Sequence, residues 1–413
     1  MTAPREAGAG GDGRKPCVHL VAGARPNFMK IAPIVRALQA DGRLAWKLVH
    51  TGQHYDRNMS EVFFEELGIP APDVHFGCGG GSHAQQTARI MEAFESHVAA
   101  DRPDAVVVVG DVNSTLACTI VAKKAGIPVA HVEAGLRSGD MTMPEEINRI
   151  VTDSLSDWFF VTEPSGVENL RREGRPESGI FYVGHVMVDN VVHQARQLDA
   201  MGDAARVALA TDAVKRALSE GGGRYGVVTL HRPSNVDDPA ALAPIAGALK
   251  AIAEALPLVF PVHPRTRGTL ARTGLDLGPR VHLLDPQPYM AFLHLWKDAA
   301  VVLTDSGGLQ EETTALGVPC VTLRENTERP ITLTEGSNQL AGTDPARIAE
   351  LAWRAIVGEV DGVDLRPPRF RLLPLLVDAM HRGAVSGQHH DGRWVDVGTP
   401  QRLGELDAGL RRA

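Results

Sequence analysis

The sequence predicts an α/β protein built from two Rossmann-like domains with a deep cleft between them. Three observations carry that expectation. Short apolar runs alternate with amphipathic stretches along most of the chain, the pattern of strands joined by crossover helices. One of those runs, Ala105–Val109, is almost pure valine, as a parallel strand covered on both faces should be. The alternation then restarts after an Ala-rich helical stretch and the glycines at 221–223, so the unit occurs twice. Two such halves usually enclose a ligand between them.

Taken in order, Val18–Ala22 reads as a strand, followed by a helix near Phe28–Ala40 and a strand at Trp46–Thr51. Ala105–Val109 is the next strand, then a helix over Ser114–Ala125, and strands at Val129–Val132 and Trp158–Val161. Pro164 ends the last of these and turns the chain into a helix. Val191–Leu218 reads as helical. Beyond it, Tyr225–Leu230, Leu258–Val262, Val281–Leu284, Ala300–Thr304 and Cys320–Leu323 read as strands, with helices at Leu242–Ala255 and Leu309–Leu316. The expected organisation is a disordered lead-in at 1–15, domains at 16–190 and 191–360, and a tail at 361–413. The hinge is expected within Gly184–Asp203. No short-period repeat is visible, which removes solenoids.

Composition narrows the function classes. The chain has 413 residues, 44% hydrophobic and 22% charged, with a net charge of -8. That balance gives no overall pull toward nucleic acid or an anionic membrane, so phosphate binding has to be local. No run of about eighteen apolar residues predicts a membrane span. The N-terminal stretch has no apolar core and does not read as a secretory signal. The four cysteines form no CxxC pair, and Cys17, Cys118 and Cys320 sit in apolar runs as expected of small core residues. A reducing cytoplasm fits best.

The chemistry-bearing segments follow strand ends, where open α/β sheets place their ligands. After the first strand comes Gly23–Lys30, whose Arg25 and Lys30 suit a phosphate at a helix N-terminus or a plain solvated turn. It is neither GxGxxG nor GxxxxGK[ST], so it predicts neither a dinucleotide nor a P-loop. Asp111 ends the valine strand, with Asn113 or Ser114 suited to capping the next helix. The block from His131 to Arg149 sets Glu133, Arg137, Asp140, Glu145, Glu146 and Arg149 behind a buried strand. Alternating carboxylates and arginines there suit proton transfer beside a bound anion.

In the second half, His231 stands at a strand terminus beside Arg232, open to a structural or a catalytic reading, and His263 repeats the pattern one unit later. Thr304–Glu312 is the strongest anion signal. Ser306-Gly307-Gly308 opens a helix and offers amide N–H groups and the positive end of a helix dipole, suited to a diphosphate. Glu312, one turn on, suits ribose hydroxyls. Arg329 follows the next strand toward the same region.

Together the segments GARPNFMKIAP, TGQH, GDVNST, HVEAGLRSGD, MPEEINR, LHRPSN, PVHPRT, TDSGGLQEE and RENTERP resemble the non-hydrolysing UDP-N-acetylglucosamine 2-epimerases, in family order from about residue 17 to about residue 355. The resemblance implies a glycosyltransferase-B fold, a cytoplasmic homodimer, a UDP-sugar substrate, and neither cofactor nor metal. It implies interconversion of UDP-GlcNAc and UDP-ManNAc: anti elimination of UDP gives 2-acetamidoglucal, and UDP then adds back. Asp111, Glu133 and Glu145 fall on the proton-transferring carboxylates and His231 beside the leaving diphosphate. Arg25, Lys30, Arg149, His263, Ser306, Gly307, Gly308, Glu312 and Arg329 fall on ligand-binding positions, and Phe292 near the uracil. Gln53 and His54 match part of a second, regulatory UDP-sugar site, whereas Tyr55 and Asp56 do not continue it. Asn27 stands where family members commonly carry Glu.

The chemistry agrees with that division. The C2 proton has no adjacent carbonyl, so leaving-group departure must accompany its removal, and the charge growing on UDP calls for preorganised donors. Inversion requires proton transfer on both faces, hence more than one carboxylate. Trapping both UDP and the glycal favours closure of the two halves. The tail differs: GRWVDVGTPQRLGELDAGL resembles the end of sugar-1-phosphate nucleotidyltransferases of the N-acetylmuramate-1-phosphate uridylyltransferase type, in which the residue matching Asp396 helps hold a metal. Its catalytic N-terminal half has no counterpart here, so that activity is not expected. A junction near 356–370 is. The competing functions are an epimerase for a related UDP-acetamido sugar or uronate, a hydrolysing epimerase, a transferase of the same fold, and a non-catalytic UDP-sugar binder.

Overall fold

The structure, a computed structural model, describes residues 14–53, 64, 66–327 and 329–357. The expected lead-in (but for Arg14 and Lys15), the junction after Val357 and the tail lie outside the described residues. The chain divides into two units, Met1–Val183 and Gly184–Ala413.

The first unit carries β1 (Cys17–Ala22), β2 (Ala45–His50), β3 (Val74–His75), β4 (Ala105–Val109), β5 (Val129–Val132), β6 (Trp158–Val161) and β7 (Ile180–Tyr182). They form one sheet in the order β3-β2-β1-β4-β5-β6-β7, every pairing parallel. Its helices are α1 (Arg25–Asp41), α2 (His83–Ala100), α3 (Asn113–Lys124), α4 (Pro144–Leu155) and α5 (Pro164–Arg172). The strand order reverses between β1 and β4. In an open parallel sheet that is where the loops diverge and leave a crevice at the strand C-termini. The loops after β1, β4 and β5 open there. Val21, Val49, Val106, Val108 and Val129 pack with Ile90 and Phe94 of α2 and Ala117 and Cys118 of α3. Each fully buried side chain of this size contributes roughly 1.5–3 kcal/mol.

The second unit repeats the plan with β8 (Gly226–Thr229), β9 (Leu258–Pro261), β10 (Val281–Leu284), β11 (Val301–Thr304), β12 (Cys320–Thr322) and β13 (Asn338–Leu340). Their order is β10-β9-β8-β11-β12-β13, again all parallel, with the reversal between β8 and β11. The helices are α6 (Val186–Ala200), α7 (Asp203–Val207), α8 (Asp212–Ser219), α9 (Pro233–Val236), α10 (Pro239–Ala253), α11 (Pro264–Thr273), α12 (Tyr289–Trp296), α13 (Gly307–Leu316), α14 (Ile331–Thr334) and α15 (Pro345–Val357). The core joins Val228, Leu303 and Val321 of the sheet to Ile245, Leu249 and Ile252 of α10 and Ile348 and Leu351 of α15.

The division into units falls at the start of the expected hinge, ahead of α6, which packs on α13. Three expectations need correction. The stretch 191–218 is three helices rather than one, interrupted by Gly202, the N-cap of α7, and by Thr211, the N-cap of α8. Neither Asn113 nor Ser114 caps α3. The N-cap is Val112, without a side-chain bond, and both polar residues lie inside the helix and are buried. Cys17 is half-buried at the start of β1 rather than a core residue, while Cys118 and Cys320 are buried.

Candidate active site

In the first unit the chemistry gathers at the loops after β1, β4 and β5. Glu133 follows β5 directly and has φ 71°, the one non-glycine positive φ among the described residues. A left-handed conformation costs an L-residue roughly 1–2 kcal/mol, and such strain persists where surrounding contacts over-determine it. Those contacts are visible. The amides of Glu133 and Ala134 donate to Phe160 O at 2.9 and 3.2 Å, and that of Gly135 to Asp153 Oδ2 at 3.0 Å. The Glu133 side chain is 3% exposed and ion-paired with Lys30 of α1, itself 6% exposed. Gly110, at φ 66°, makes room for that pair. A Cβ there would stand 2.9 Å from Lys30 Nζ and 3.6 Å from Glu133 Oε2.

Asp111 is held by Arg149 of α4, and Arg149 Nη1 also binds Glu146 Oε2 at 2.8 Å. Glu146 in turn accepts the amides of Ser138 and Gly139 at 3.0–3.1 Å. Burial works against its charge, but those amides and Arg149 outweigh burial and hold its carboxyl below the usual range. Asn148 ties the same helix to Asp111 O at 2.8 Å. Glu145 lies half-buried in the first turn of α4. Arg137 pairs with Asp153 and Glu173, and Asp140 caps its own turn through Thr142. Both are structural supports.

Beneath the loop lies a buried network that sequence reasoning missed. His131 Nδ1 faces Asp153 Oδ1 at 2.7 Å and its Nε2 faces Gly110 O at 2.8 Å, so one imidazole bridges the loops after β4 and β5. Burial opposes the charge of Asp153, but His131 and Arg137 together hold its carboxyl below the usual range. Asn27 completes the floor: its Oδ1 accepts the amides of Gly23 and Ala24 at 3.0 Å each, and its Nδ2 donates to Val109 O at 3.0 Å. Arg25 opens α1, and its side chain lies outside the described residues, as do His54, Tyr55 and Asp56. Gln53 is buried with its Oε1 accepting Ser114 N and Oγ at 3.1 and 2.8 Å.

In the second unit the loops after β8 and β11 meet at Asp305, which is fully buried. It accepts the amides of His231 and Arg232 at 3.1 and 2.9 Å and the amide nitrogen of Asn235 at 3.2 Å. Its Oδ1 also lies 3.0 Å from His231 Nδ1. Burial opposes its charge, but His231 and those amides overcome it and keep the carboxyl below the usual range. The half-exposed His231 ring is thereby oriented with Nε2 directed away from its carboxylate. Asp305 was within a quoted motif, yet its part in holding His231 requires β8 and β11 to be neighbours.

Next to it, Ser306 is the N-cap of α13 with no side-chain cap bond, and Gly307 and Gly308 form the first turn. The first N–H groups of a helix lack intrahelical acceptors and carry the positive end of its dipole, which makes an anion cradle. A Cβ on Gly308 would lie 3.0 Å from Met187 Cε. Glu312 is 5% exposed and Tyr289 Oη donates to it at 3.4 Å. Arg329 Nε pairs with Glu311 Oε1 at 2.5 Å, and His185 Nε2 reaches the same oxygen at 2.6 Å. Glu311 and His185 were not singled out in the sequence. His263 is exposed and caps α11 through Arg265 N at 3.3 Å, and Phe292 is half-buried in α12.

The family model for UDP-N-acetylglucosamine 2-epimerase matches residues 36–366. The chain is 42% identical over 335 residues to a UDP-2,3-diacetamido-2,3-dideoxy-D-glucuronate 2-epimerase of Pseudomonas aeruginosa, covering 80% of this chain and 90% of that protein. It is 38% identical over 339 residues to the UDP-N-acetylglucosamine 2-epimerase of Methanococcus maripaludis, covering 80% and 89%. The Methanocaldococcus jannaschii UDP-GlcNAc 2-epimerase, solved in complex with UDP-GlcNAc and UDP, superposes with TM-score 0.77 at 36% identity, covering 89% of this chain and 100% of that one. The two parallel sheets are those of a glycosyltransferase-B fold, and no described helix is long and apolar enough to cross a membrane. With the strained, lysine-paired Glu133 and the Ser306–Gly308 cradle in matching segments, the chain belongs to the UDP-N-acetylglucosamine 2-epimerase family.

Proposed function

We propose that this protein is a non-hydrolysing epimerase that interconverts UDP-GlcNAc and UDP-ManNAc. A carboxylate takes the C2 proton while the C1–O bond to UDP breaks, leaving 2-acetamidoglucal and UDP. A carboxylic acid then returns a proton to the opposite face of C2 as a UDP oxygen re-forms the bond to C1. Glu133 is one of the proton-transferring groups, with Asp111 and Glu145 supplying the second face and the proton relay. His231, Ser306, Gly307, Gly308 and Arg329 take the diphosphate, with Arg25, Lys30, Arg149 and His263 also on the ligand. Glu312 takes the ribose and Phe292 lies by the uracil.

The observation that carries this reading is Glu133 itself. A buried carboxylate in a left-handed conformation, with a lysine as counter-charge, is costly to build, and such strain clusters at functional sites. The test is incubation with UDP-GlcNAc alone in deuterium oxide. The proposal expects deuterium at C2, UDP-ManNAc formation and no free N-acetylmannosamine. A transferase or a passive binder leaves C2 unlabelled, and a hydrolysing enzyme releases the free sugar with UDP.

A second reading is favoured by the identity to the diacetamido-glucuronate epimerase, namely the same chemistry on a UDP-acetamido uronate. Running both substrates side by side and comparing kcat/KM decides it. We read the protein as a cytoplasmic homodimer acting in polysaccharide precursor supply, with Gln53 and His54 belonging to a second UDP-sugar site.

A further inference from the structure

Apart from the catalytic loops, the first unit holds a cluster of a different kind. His19, in the middle of β1, is fully buried, and its Nε2 has no hydrogen-bond partner. Its Nδ1 lies 3.2 Å from His97 Nε2, on the last turn of α2, and the two rings stack at 4.9 Å between centroids. Asp101, the C-cap of α2, brings Oδ2 to 3.5 Å from His19 Nε2. One ligand atom from each of the three residues lies within 4.8 Å of the others. From these distances the geometry points to a divalent-metal site, zinc by the chemistry of its donors, formed by His19, His97 and Asp101.

Two neutral imidazoles and a carboxylate are borderline donors of the sort zinc prefers, with water as a fourth ligand. Zinc–ligand bonds of about 2.0–2.1 Å in a tetrahedron set ligand atoms about 3.3 Å apart. His19 Nε2 and Asp101 Oδ2 stand at 3.5 Å, whereas the 3.2 Å contact to His97 is made by the other nitrogen of His19, so one side chain must turn to close the three-ligand set. The contact between the two rings occupies one of their two acceptor nitrogens, and metal binding would replace it. The fully buried His19, stacked on the half-buried His97, leaves its Nε2 unsatisfied, a cost of roughly 1–3 kcal/mol that a metal would remove.

The counter-charge already present is Lys47, whose ammonium lies 2.6 Å from Asp101 Oδ2. It stands next to where the metal would bind, so metal and ammonium compete for one carboxylate. The site is away from the strand C-termini that carry the catalytic groups, and its role is to fasten the end of α2 to β1. Sequence spacing conceals it, because the ligands come from a strand and a helix far apart in the chain.

The test uses the full chain, stripped of metal by dialysis and titrated with Zn²⁺, and with Co²⁺ for its visible spectrum. The inference expects a tetrahedral Co²⁺ spectrum, a Zn²⁺-dependent rise in Tm, and one equivalent of tight binding. His97→Gln and Asp101→Asn should each weaken that equivalent by more than about tenfold and remove the Tm response. Epimerisation by the same variants should be unchanged, which separates this failure from failure of the functional reading. Lys47→Ala should tighten binding, the opposite of what a purely structural ion pair predicts. Should His97→Gln fail to fold by circular dichroism, the half-buried Asp101→Asn gives the same reading. Equal zinc stoichiometry and affinity in wild type and variants, or no tight equivalent in wild type, overturns the site.

Discussion

The two units share a topology and differ in the balance of side-chain and backbone partners that hold charge at the strand ends. In the first, the strand-end groups are side chains paired with side chains: Lys30 with Glu133, and Arg149 with both Asp111 and Glu146. In the second, the strand-end donors are largely backbone. Asp305 collects amides, and α13 presents the start of a helix without a side-chain cap. On the proposed reading the difference follows from what each would do. A proton-transfer group works beside side chains that can shift with its charge. A site for a departing diphosphate needs donors that neither titrate nor reorganise, and amides at a helix N-terminus meet that need.

The largest expected effect breaks the first unit's side of the comparison. Asp111→Asn keeps the shape and removes the base, so kcat should fall by about 10²–10⁴, while UDP affinity changes by less than about tenfold. A parallel loss of both in steady-state kinetics and calorimetry would make Asp111 a binding residue. Next comes Lys30→Met, which leaves a buried carboxylate without its counter-charge. Breaking such a pair costs about 3–5 kcal/mol, which urea unfolding would register. A change under about 0.5 kcal/mol would mean the pair is not formed in solution.

The second unit is tested more gently. Asp305→Asn loosens the orientation of His231 and should lower kcat by about ten- to a hundredfold. An unchanged kcat would remove His231 from the chemistry. Gly308→Ala places a methyl 3.0 Å from Met187 Cε, the mobile end of a flexible side chain. UDP binding should weaken only about fivefold, near 1 kcal/mol.

Acid sensitivity sharpens the same contrast. His50 is fully buried and lowered to about 4, by burial first and by His75 second. Its unfolded form titrates near 6.5. The stability it protects is therefore complete above about pH 6.5 and lost as pH falls toward 4. Asp153, Glu146 and Asp305 have depressed values, so their contribution is present above the ordinary carboxylate range and lost only as pH falls through the lower, folded values. Unfolding free energy measured from pH 8 to pH 3 should decline in two stages. His19, equally buried and lowered to about 4, shares the first stage, so His50→Phe should remove part of it.

The fold was legible because parallel strands buried on both faces announce themselves by composition, and Ala105–Val109 could hardly be anything else. The helix His83–Ala100 went unread although Ser82 and Gln85 form a capping box, with Gln85 N bonding Ser82 Oγ at 3.3 Å. The short strands Val74–His75, Ile180–Tyr182 and Asn338–Leu340 have too few residues to show a period. The candidate catalytic residues were legible where chemistry clusters in one loop, as from Glu133 to Arg149. The supports were not. His131 and Asp153, Asp305 and His231, and Glu311 with Arg329 and His185 are each distant in sequence. They are joined only by strand order and helix packing. Glu146 shows the limit from the other side: in sequence it matches Glu145, and in the fold it is buried against two amides and Arg149.

The central claim is that the first unit moves the proton and the second holds the diphosphate. The most direct measurement is solvent-deuterium incorporation at C2 of UDP-GlcNAc by Glu133→Gln, with the UDP dissociation constant measured on the same preparation. The account predicts that exchange is abolished while UDP binds within a few-fold of wild type. Exchange at the wild-type rate, or loss of UDP binding in a folded variant, would contradict it.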